Sequence, residues 1–142
     1  RVIYKTDDGG VAVIVPAPDC GLTIEEIAAK DVPAGKPFEI VDANDIPADR
    51  TFRNAWFHDT TPDPRKIGVS MDKAKAIAHD IRRAARAEEF KPLDVKATIP
   101  AEAAEAEAAR QAIRDKHAQI QADIDAATTV DKLKTVMANG TI

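Results

Sequence analysis

One segment of this chain departs from the regular patterns on either side of it: Ile46-Pro47-Ala48-Asp49-Arg50-Thr51-Phe52-Arg53-Asn54-Ala55-Trp56. It contains the only tryptophan, one of the four phenylalanines and two arginines, although only 4% of the residues are aromatic. Its apolar residues follow neither the helical period of 3.6 nor the strand period of two. Trp and Phe bury large apolar areas and Arg makes forked, multi-donor contacts, which is the chemistry of an anchor. Residues 46–56 are termed the clasp segment.

The side chains of the clasp segment allow two compatible interpretations. In the first, Phe52 and Trp56 cover the core of a small β module, while Arg50 and Arg53 pair with nearby carboxylates. In the second, the same side chains form a contact between subunits or between the two halves of the chain. The candidate interaction residues are therefore Arg50, Phe52, Arg53 and Trp56.

The sequence before the clasp segment predicts a small β module. Residues 1–6 and 11–15 are strand-like runs separated by Asp7-Asp8-Gly9-Gly10, whose glycines permit the positive φ of a hairpin turn. A third short strand is predicted at residues 37–41. The module is placed at residues 1–57, and we expect it to dock onto a larger assembly.

A short helix is predicted between the second and third strands. Thr23 is a suitable N-cap, and Glu26 stands three residues later, which completes the pattern of a capping box. Pro33-Ala34-Gly35 then stops the helix, since proline and glycine both interrupt helical structure.

The sequence after the clasp segment predicts a proline-rich connector at residues 58–70 and a helical region at residues 71–142. Apolar residues spaced by three and four predict three helices. They are placed at about residues 71–90, 101–127 and 130–138. Pro92 is expected to end the first, because a proline inside a helix removes a hydrogen bond and clashes with the preceding turn. The expected fold class is α+β: an N-terminal β-hairpin or β module followed by a C-terminal helical hairpin or bundle.

The charges favour pairing of the first two predicted helices. Basic residues outnumber acidic ones within residues 71–91, and the reverse holds within residues 101–127. Opposite excess charge favours a helical hairpin, although each exposed pair contributes under about 1 kcal/mol. Three arginines form a short basic patch, Arg82, Arg83 and Arg86. Because no aromatic residues interleave with it, we interpret it as a solvated face or a contact with the acidic helix.

No residue pattern in the sequence points to catalysis or to metal binding. The three histidines, His58, His79 and His117, never stand four residues apart on a helix, and there is no cysteine cluster, so a zinc site is not indicated. Cys20 has no histidine near it in sequence to generate a thiolate. Ser70, the only serine, is better explained as an N-cap. We expect no enzymatic activity, no cofactor, and no catalytic, cofactor-binding or metal-binding residues.

The composition restricts the partners. With 20 basic and 24 acidic residues the net charge is −4, which argues against nucleic-acid binding. No apolar run approaches the roughly 18 residues needed to cross a bilayer, so no membrane partner is expected. Alanine dominates the apolar content and buries little area, so the core should be thin. We therefore expect a homo-oligomer that completes its burial against partner subunits.

The clasp segment, with Asp45 before it, resembles a signature of small proteins encoded in the structural and tail regions of tailed bacteriophages and prophages. The resemblance spans residues 38 to 137, and the clasp segment is its most specific part. Downstream of the signature the similar pieces are Met71-Asp72-Lys73-Ala74-Lys75-Ala76-Ile77, the arginines Arg82 and Arg86, Leu93-Asp94, Arg110-Gln111-Ala112-Ile113-Arg114-Asp115, and Ala126-Ala127-Thr128-Thr129-Val130-Asp131-Lys132-Leu133-Lys134.

The resemblance implies a non-enzymatic structural protein of the virion, on the tail, fibre, neck or capsid. Its partners would be other phage structural proteins, and it would reside in the virion and, during assembly, in the host cytoplasm. The alternative is a tail or fibre assembly chaperone that is absent from the mature particle. A third possibility is a small enzyme, such as a hydrolase that acts on the cell wall during entry; it would depend on His58 or Asp59.

Overall fold

The computed structural model describes residues 1–61 and 67–142 and has the expected α+β architecture. The chain divides into two compact units, Arg1–Ser70 and Met71–Ile142. The first unit contains β1 (Val2–Lys5), β2 (Val11–Ile14), α1 (Ile24–Asp31), β3 (Phe38–Ile40), β4 (Trp56–His58) and β5 (Ile67–Val69). The second contains α2 (Met71–Lys96), α3 (Ala103–Ala126) and α4 (Val130–Gly140). Within the described residues, none of these helices is long and apolar enough to cross a membrane.

The N-terminal unit is built around an antiparallel sheet with the strand order β2-β1-β3. Successive residues of a strand point to opposite faces of a sheet. Val2 accordingly packs with Ala28 of α1 on one face. Ile3 packs with Trp56 of β4 and Ile67 of β5 on the other. The sheet therefore lies between a helix and a second, two-stranded sheet.

Local signals in the first unit fold as the sequence predicts. The Thr23 hydroxyl accepts a hydrogen bond from the Glu26 amide at 3.2 Å, and the Glu26 carboxylate accepts one from the Thr23 amide at 2.8 Å, so the capping box is confirmed. In the β1–β2 turn Gly9 has a φ of 83° and donates to the Thr6 carbonyl at 3.1 Å. That conformation is strained for residues with a Cβ, which explains the glycine.

The predicted connector at residues 58–70 differs from the structure at both ends. His58 belongs to β4, and residues 67–69 form β5, which pairs antiparallel with β4. The first unit therefore ends at Ser70 instead of residue 57. A strand of three residues carries too little alternation to be recognised from sequence, and only its pairing defines it. The connector residues Pro62, Asp63 and Pro64 lie outside the described residues.

The glycine of β5 makes room for an aromatic side chain of β4. Phe57 and Gly68 stand opposite each other in the ladder. A Cβ built on Gly68 would lie 2.6 Å from Cε1 of the Phe57 ring, closer than side-chain atoms pack. The Phe57 ring therefore lies over the glycine, on the face of β4 opposite Trp56.

The second unit contains a helical hairpin closed by a third helix. Polar contacts join the start of α2 to the end of α3 and the end of α2 to the start of α3, so the two helices run antiparallel, as the hairpin prediction requires. The helix α4 packs against both. The buried apolar residues of this unit are Ala74, Ala78, Ala106, Ile120, Ile124, Ala127, Leu133 and Met137. Half of them are alanines.

The helix α2 continues past the proline that was expected to end it. It runs to Lys96, with Pro92 inside it. Pro92 and Glu88 are both exposed, so water can donate to the Glu88 carbonyl, which the proline cannot pair because it lacks an N–H. At the other end of the unit α4 extends to Gly140, two residues beyond the prediction. Thr141, with a φ of 56°, takes the left-handed position after it.

Candidate functional site

Trp56 of the clasp segment is a core residue of the N-terminal unit. Only 2% of its surface is exposed. Its indole packs in one cluster with Ile3, Val41 and Ile67, which come from β1, the end of β3 and β5. The structure thus places Trp56 as the first interpretation requires: it covers the β-module core.

A tight turn directs the clasp segment into this position. Residues Arg53–Ala55 form a single 3-10 turn, in which the Ala55 amide donates to the Phe52 carbonyl at 2.8 Å. The Ser70 amide donates to the Ala55 carbonyl, also at 2.8 Å, which ties the turn to the residue after β5. Phe52 is 2% exposed and Ala55 is fully buried. Residues 46–52 before the 3-10 turn are turns and irregular backbone, which explains why no helical or strand period fits the segment.

The two clasp arginines make different contacts from those expected. Both Arg50 and Arg53 are exposed. The Arg53 guanidinium lies 5.6 Å from the centroid of the Trp56 ring, in the range of a cation–π contact that contributes about 0.5–1 kcal/mol at an exposed site. Within residues 1–61 and 67–142 neither arginine forms an ion pair, so the expected pairing with carboxylates is wrong for that part of the chain. The turn places Arg53 above the indole instead.

The His58 side chain lies near an acidic residue that is distant in sequence. Its side chain is 6% exposed, and its Nε2 lies 3.7 Å from Oε1 of Glu39 on β3. His58 and Trp56 share one face of β4, so the pair lies between the two sheets. Sequence reasoning could not find this contact because it spans the whole clasp segment.

Asp59, the neighbour of His58, is engaged locally. Its Oδ1 accepts hydrogen bonds from the Thr61 hydroxyl at 2.7 Å and the Thr61 amide at 3.0 Å. These two hydrogen bonds hold the pKa of the Asp59 carboxyl below its ordinary value. The arrangement is that of a carboxylate that organises a turn.

The other two histidines join α2 to α3. His79 Nε2 lies 2.8 Å from Asp125 Oδ1. His117, which is 1% exposed, has its Nε2 3.1 Å from Oε1 of Glu89. Lys116 Nζ donates to the same Glu89 oxygen at 2.9 Å. Each histidine thus pairs with a carboxylate on the opposite helix, and neither pairs with the aspartate beside it in sequence.

The basic patch on α2 divides into three structural roles. Arg82 is 9% exposed, and its Nη1 lies 3.5 Å from the His117 carbonyl. Arg83 pairs with Asp80 on its own helix. Arg86 lies over the Phe90 ring at 4.9 Å. From α3, two further arginines lie 5.9 Å from the same ring, Arg110 and Arg114. Among the described residues, Arg82 thus contacts α3, whereas Arg83 and Arg86 make their contacts on α2 itself.

The ion pairs across the hairpin run partly against the net charges of the helices. On α2 Glu89 pairs with Lys116 of α3, and Asp94 lies 3.4 Å from Arg110 of α3. These pairs join acids of the more basic helix to bases of the more acidic helix. The hairpin prediction was therefore right, but the excess charge does not describe how the helices are joined.

Glu89 is a carboxylate through which the stability of the helical unit should depend on pH. Burial raises the pKa of its carboxyl, but the hydrogen bonds from Lys116 and His117 outweigh burial, so the pKa lies below its ordinary value of 4.5. A lowered folded-state pKa stabilises the fold above the ordinary value, and this stabilisation is lost as the pH falls through the lower value.

We expect Glu89→Gln to lower the free energy of unfolding near neutral pH and to flatten its decrease below pH 4.5. Urea unfolding followed from about pH 7 to about pH 3 measures both effects. Glu88→Gln is the matched control, since Glu88 is exposed and pairs with Lys91 on its own helix. An equal response of the two variants would contradict the role assigned to Glu89.

Among the described residues, no group of three or more His, Cys, Asp or Glu side chains could hold a metal ion. An open groove of about 450 Å³ lies at the α3–α4 junction and is lined by Asp123, Ala126, Ala127, Asp131, Lys132, Thr135 and Val136.

No protein-family model, curated protein or solved structure matches this chain.

Proposed function

We propose that this chain is a non-enzymatic structural protein of a bacteriophage particle, located on the tail, fibre, neck or capsid. Its N-terminal unit would dock onto another virion protein, and its helices would assemble with copies of itself or with a neighbouring component. The proposal starts from the resemblance of the clasp segment and the segments after it to phage structural-region proteins. The observation that carries the proposal is the burial of the aromatic residues of the clasp segment. Phe52 and Trp56 are each 2% exposed, so they serve as structural anchors.

The polar residues of both units also support a structural role. His58, His79 and His117 each lie beside a carboxylate that is distant in sequence. The contacts of His79 and His117 are at hydrogen-bond distance and fix α2 relative to α3. A protein that holds other macromolecules in place depends on rigid units, and these contacts supply rigidity.

Exposed apolar side chains offer surfaces for partners in each unit. In the first, Phe38 and Ile40 of β3 are 42% and 46% exposed. In the second, Val95 and Ile99, near the α2–α3 connection, are 65% and 43% exposed. Single exposed apolar residues are ordinary, but pairs at a sheet edge or a hairpin end are positions that assembly can cover.

The composition of purified particles tests the proposed function. We expect the protein to be present in stoichiometric amounts when particles from the phage that encodes this chain are analysed by quantitative mass spectrometry. Deletion of its gene, with complementation as the control, should prevent formation of complete particles. Intact, infectious particles formed without the gene would contradict the proposal.

The same experiment distinguishes the second candidate, a tail or fibre assembly chaperone. A chaperone would be required for particle formation yet absent from the finished particle. The helical, charged second unit suits both functions, so the composition of the particle has to decide between them.

An enzymatic function has a separate test. If the protein were a cell-wall hydrolase, His58→Ala or Asp59→Asn would abolish a lytic activity measured on isolated cell walls. We expect the unmodified protein to show no such activity, because Asp59 is hydrogen-bonded to Thr61 within its turn and the His58 side chain is buried.

A further inference from the structure

Within the part of the chain that the structure describes, the outer edge of β3 combines strand backbone that has no neighbouring strand with exposed apolar side chains. The strand is the last one in the order β2-β1-β3, so among the described residues it has β1 as its only neighbour. An edge strand presents N–H and C=O groups that can pair with another chain. The edge of β3 is therefore the place in the N-terminal unit where a further strand could be added.

The register identifies which backbone groups point outward. Arg1 and Val41 exchange two hydrogen bonds of 2.9 Å between their backbones. Hydrogen-bonded and non-hydrogen-bonded pairs alternate along an antiparallel ladder. Glu39, two residues before Val41, therefore also directs its backbone groups toward β1. Phe38 and Ile40 direct theirs away from it, toward the open edge.

The side chains of the same two residues favour an extended occupant. Phe38 and Ile40 stand opposite Tyr4 and Val2 and share a face of the sheet. They are 42% and 46% exposed. An added strand would place its own alternate side chains beside them, and aromatic or β-branched neighbours stabilise such pairs. The occupant should thus be apolar at every second position.

The charges around β3 favour a basic occupant over a second copy of this chain. The first unit has twelve acidic and eight basic residues. Lys36, just before β3, is paired with Asp7 at 2.5 Å. Just after β3 stand Asp42 and Asp45, both exposed. A second copy would bring like charges together, which opposes pairing, whereas lysine or arginine would be attracted.

We propose that the outer edge of β3 binds an extended segment of another protein by strand addition. The segment is apolar at alternate positions and carries lysine or arginine at the end that lies beside Asp42 and Asp45. This inference deepens the proposed docking role of the N-terminal unit and rests on it.

A synthetic peptide tests the proposal with the pure, full-length chain. The probe is an eight-residue peptide in which isoleucine alternates with threonine and two lysines stand at one end. We expect its addition at up to about 1 mM to shift the backbone amide resonances of Phe38 and Ile40 and to slow their hydrogen exchange. Replacing both lysines by glutamates should weaken binding about tenfold, since each exposed charge pair changes from attraction to repulsion.

Two modifications separate strand addition from nonspecific apolar binding. A peptide N-methylated at the amides that face the edge should bind about tenfold more weakly, because it lacks the backbone donors. Ile40→Pro removes an outward N–H of β3 without touching the ladder to β1, and proline is tolerated at such edge positions. It should weaken binding more than Ile40→Ala, which keeps the N–H. Amide resonances of β1 and α1 that are unchanged in the Ile40→Pro variant confirm that it is folded. If the variant does not fold, the N-methylated peptide alone tests whether backbone pairing is required.

Three results would overturn the inference. They are the absence of any response at Phe38 and Ile40, equal binding of the lysine and glutamate peptides, and concentration-dependent dimerisation of the chain that Ile40→Pro abolishes. The last result would make a second copy the occupant. None of these measurements involves particles, so failure here is distinguishable from absence of the protein from the virion.

Discussion

Trp56→Ala is expected to destabilise the N-terminal unit by about 3–5 kcal/mol, the usual cost of truncating a buried aromatic residue to alanine. The indole is 2% exposed and packs in one cluster with Ile3, Val41 and Ile67, so its removal leaves a cavity between the two sheets. A unit of this size has a total stability of roughly 4–10 kcal/mol. The substitution should therefore remove roughly half of the stability of the N-terminal unit.

The measurement has to avoid tryptophan fluorescence, since the variant lacks its only tryptophan. Urea unfolding followed by far-ultraviolet circular dichroism gives the change in free energy. Hydrogen exchange in β1, whose Ile3 contacts the indole, reports on the N-terminal unit directly.

Arg53→Ala is the matched control for Trp56→Ala. It removes the cation–π contact at 5.6 Å but keeps the indole in place, so it should cost about 0.5–1 kcal/mol. If the two variants lost the same small amount, Trp56 would not be the core residue that its burial indicates. A large loss for Trp56→Ala alone assigns the energy to burial of the ring.

Leu133→Ala is expected to have the second large effect, a loss of about 2–5 kcal/mol in the helical unit. Leu133 is fully buried on α4, which packs against α2 and α3. Half of the buried apolar residues of this unit are alanines, which are too short to move into the cavity. Poor relaxation around the site places the expected loss in the upper part of that range.

Hydrogen exchange in residues 71–142 measures the effect on this unit, and urea unfolding gives its free energy. Val95→Ala is the control, because Val95 lies in the same unit and is 65% exposed, so its truncation should change stability by less than about 0.5 kcal/mol. Faster exchange confined to α4, with α2 and α3 unchanged, would show instead that α4 is not needed for the hairpin.

Much of the fold could be predicted because its signals are local. The capping box needs only Thr23 and Glu26, and the hairpin turn needs only the glycines between two short apolar runs. The three long helices follow from apolar spacing within each of them. In each case the residues that decide the structure stand within a few positions of one another.

The errors fall where the outcome depends on a distant partner or on solvent. The strand β5 has three residues and exists through its pairing with β4. Pro92 does not end α2, because its position is exposed and water can donate to the Glu88 carbonyl that the proline cannot pair. Neither the pairing of β5 nor the exposure of Pro92 can be inferred from the residues adjacent in sequence.

For the candidate interaction residues too, local sequence predicted some features, and others depended on the tertiary structure. The composition of the clasp segment alone indicated that its aromatic residues are anchors, and Phe52 and Trp56 are indeed buried. It did not indicate that Arg53 would lie over the indole instead of pairing with a carboxylate. The choice between a ring and a carboxylate depends on the direction in which the 3-10 turn points the side chain.

The sequence by itself determined the order of elements, the α+β class and the identity of the aromatic anchors, because propensity, capping and periodicity act between near neighbours. Only the tertiary structure decided which polar groups meet. Glu89 joins Lys116 and His117 across separations of 27 and 28 residues, against the excess charge of the two helices. Such contacts are fixed by the rotation and register of packed helices, which depend on the shapes of all the buried side chains together and not on any one segment.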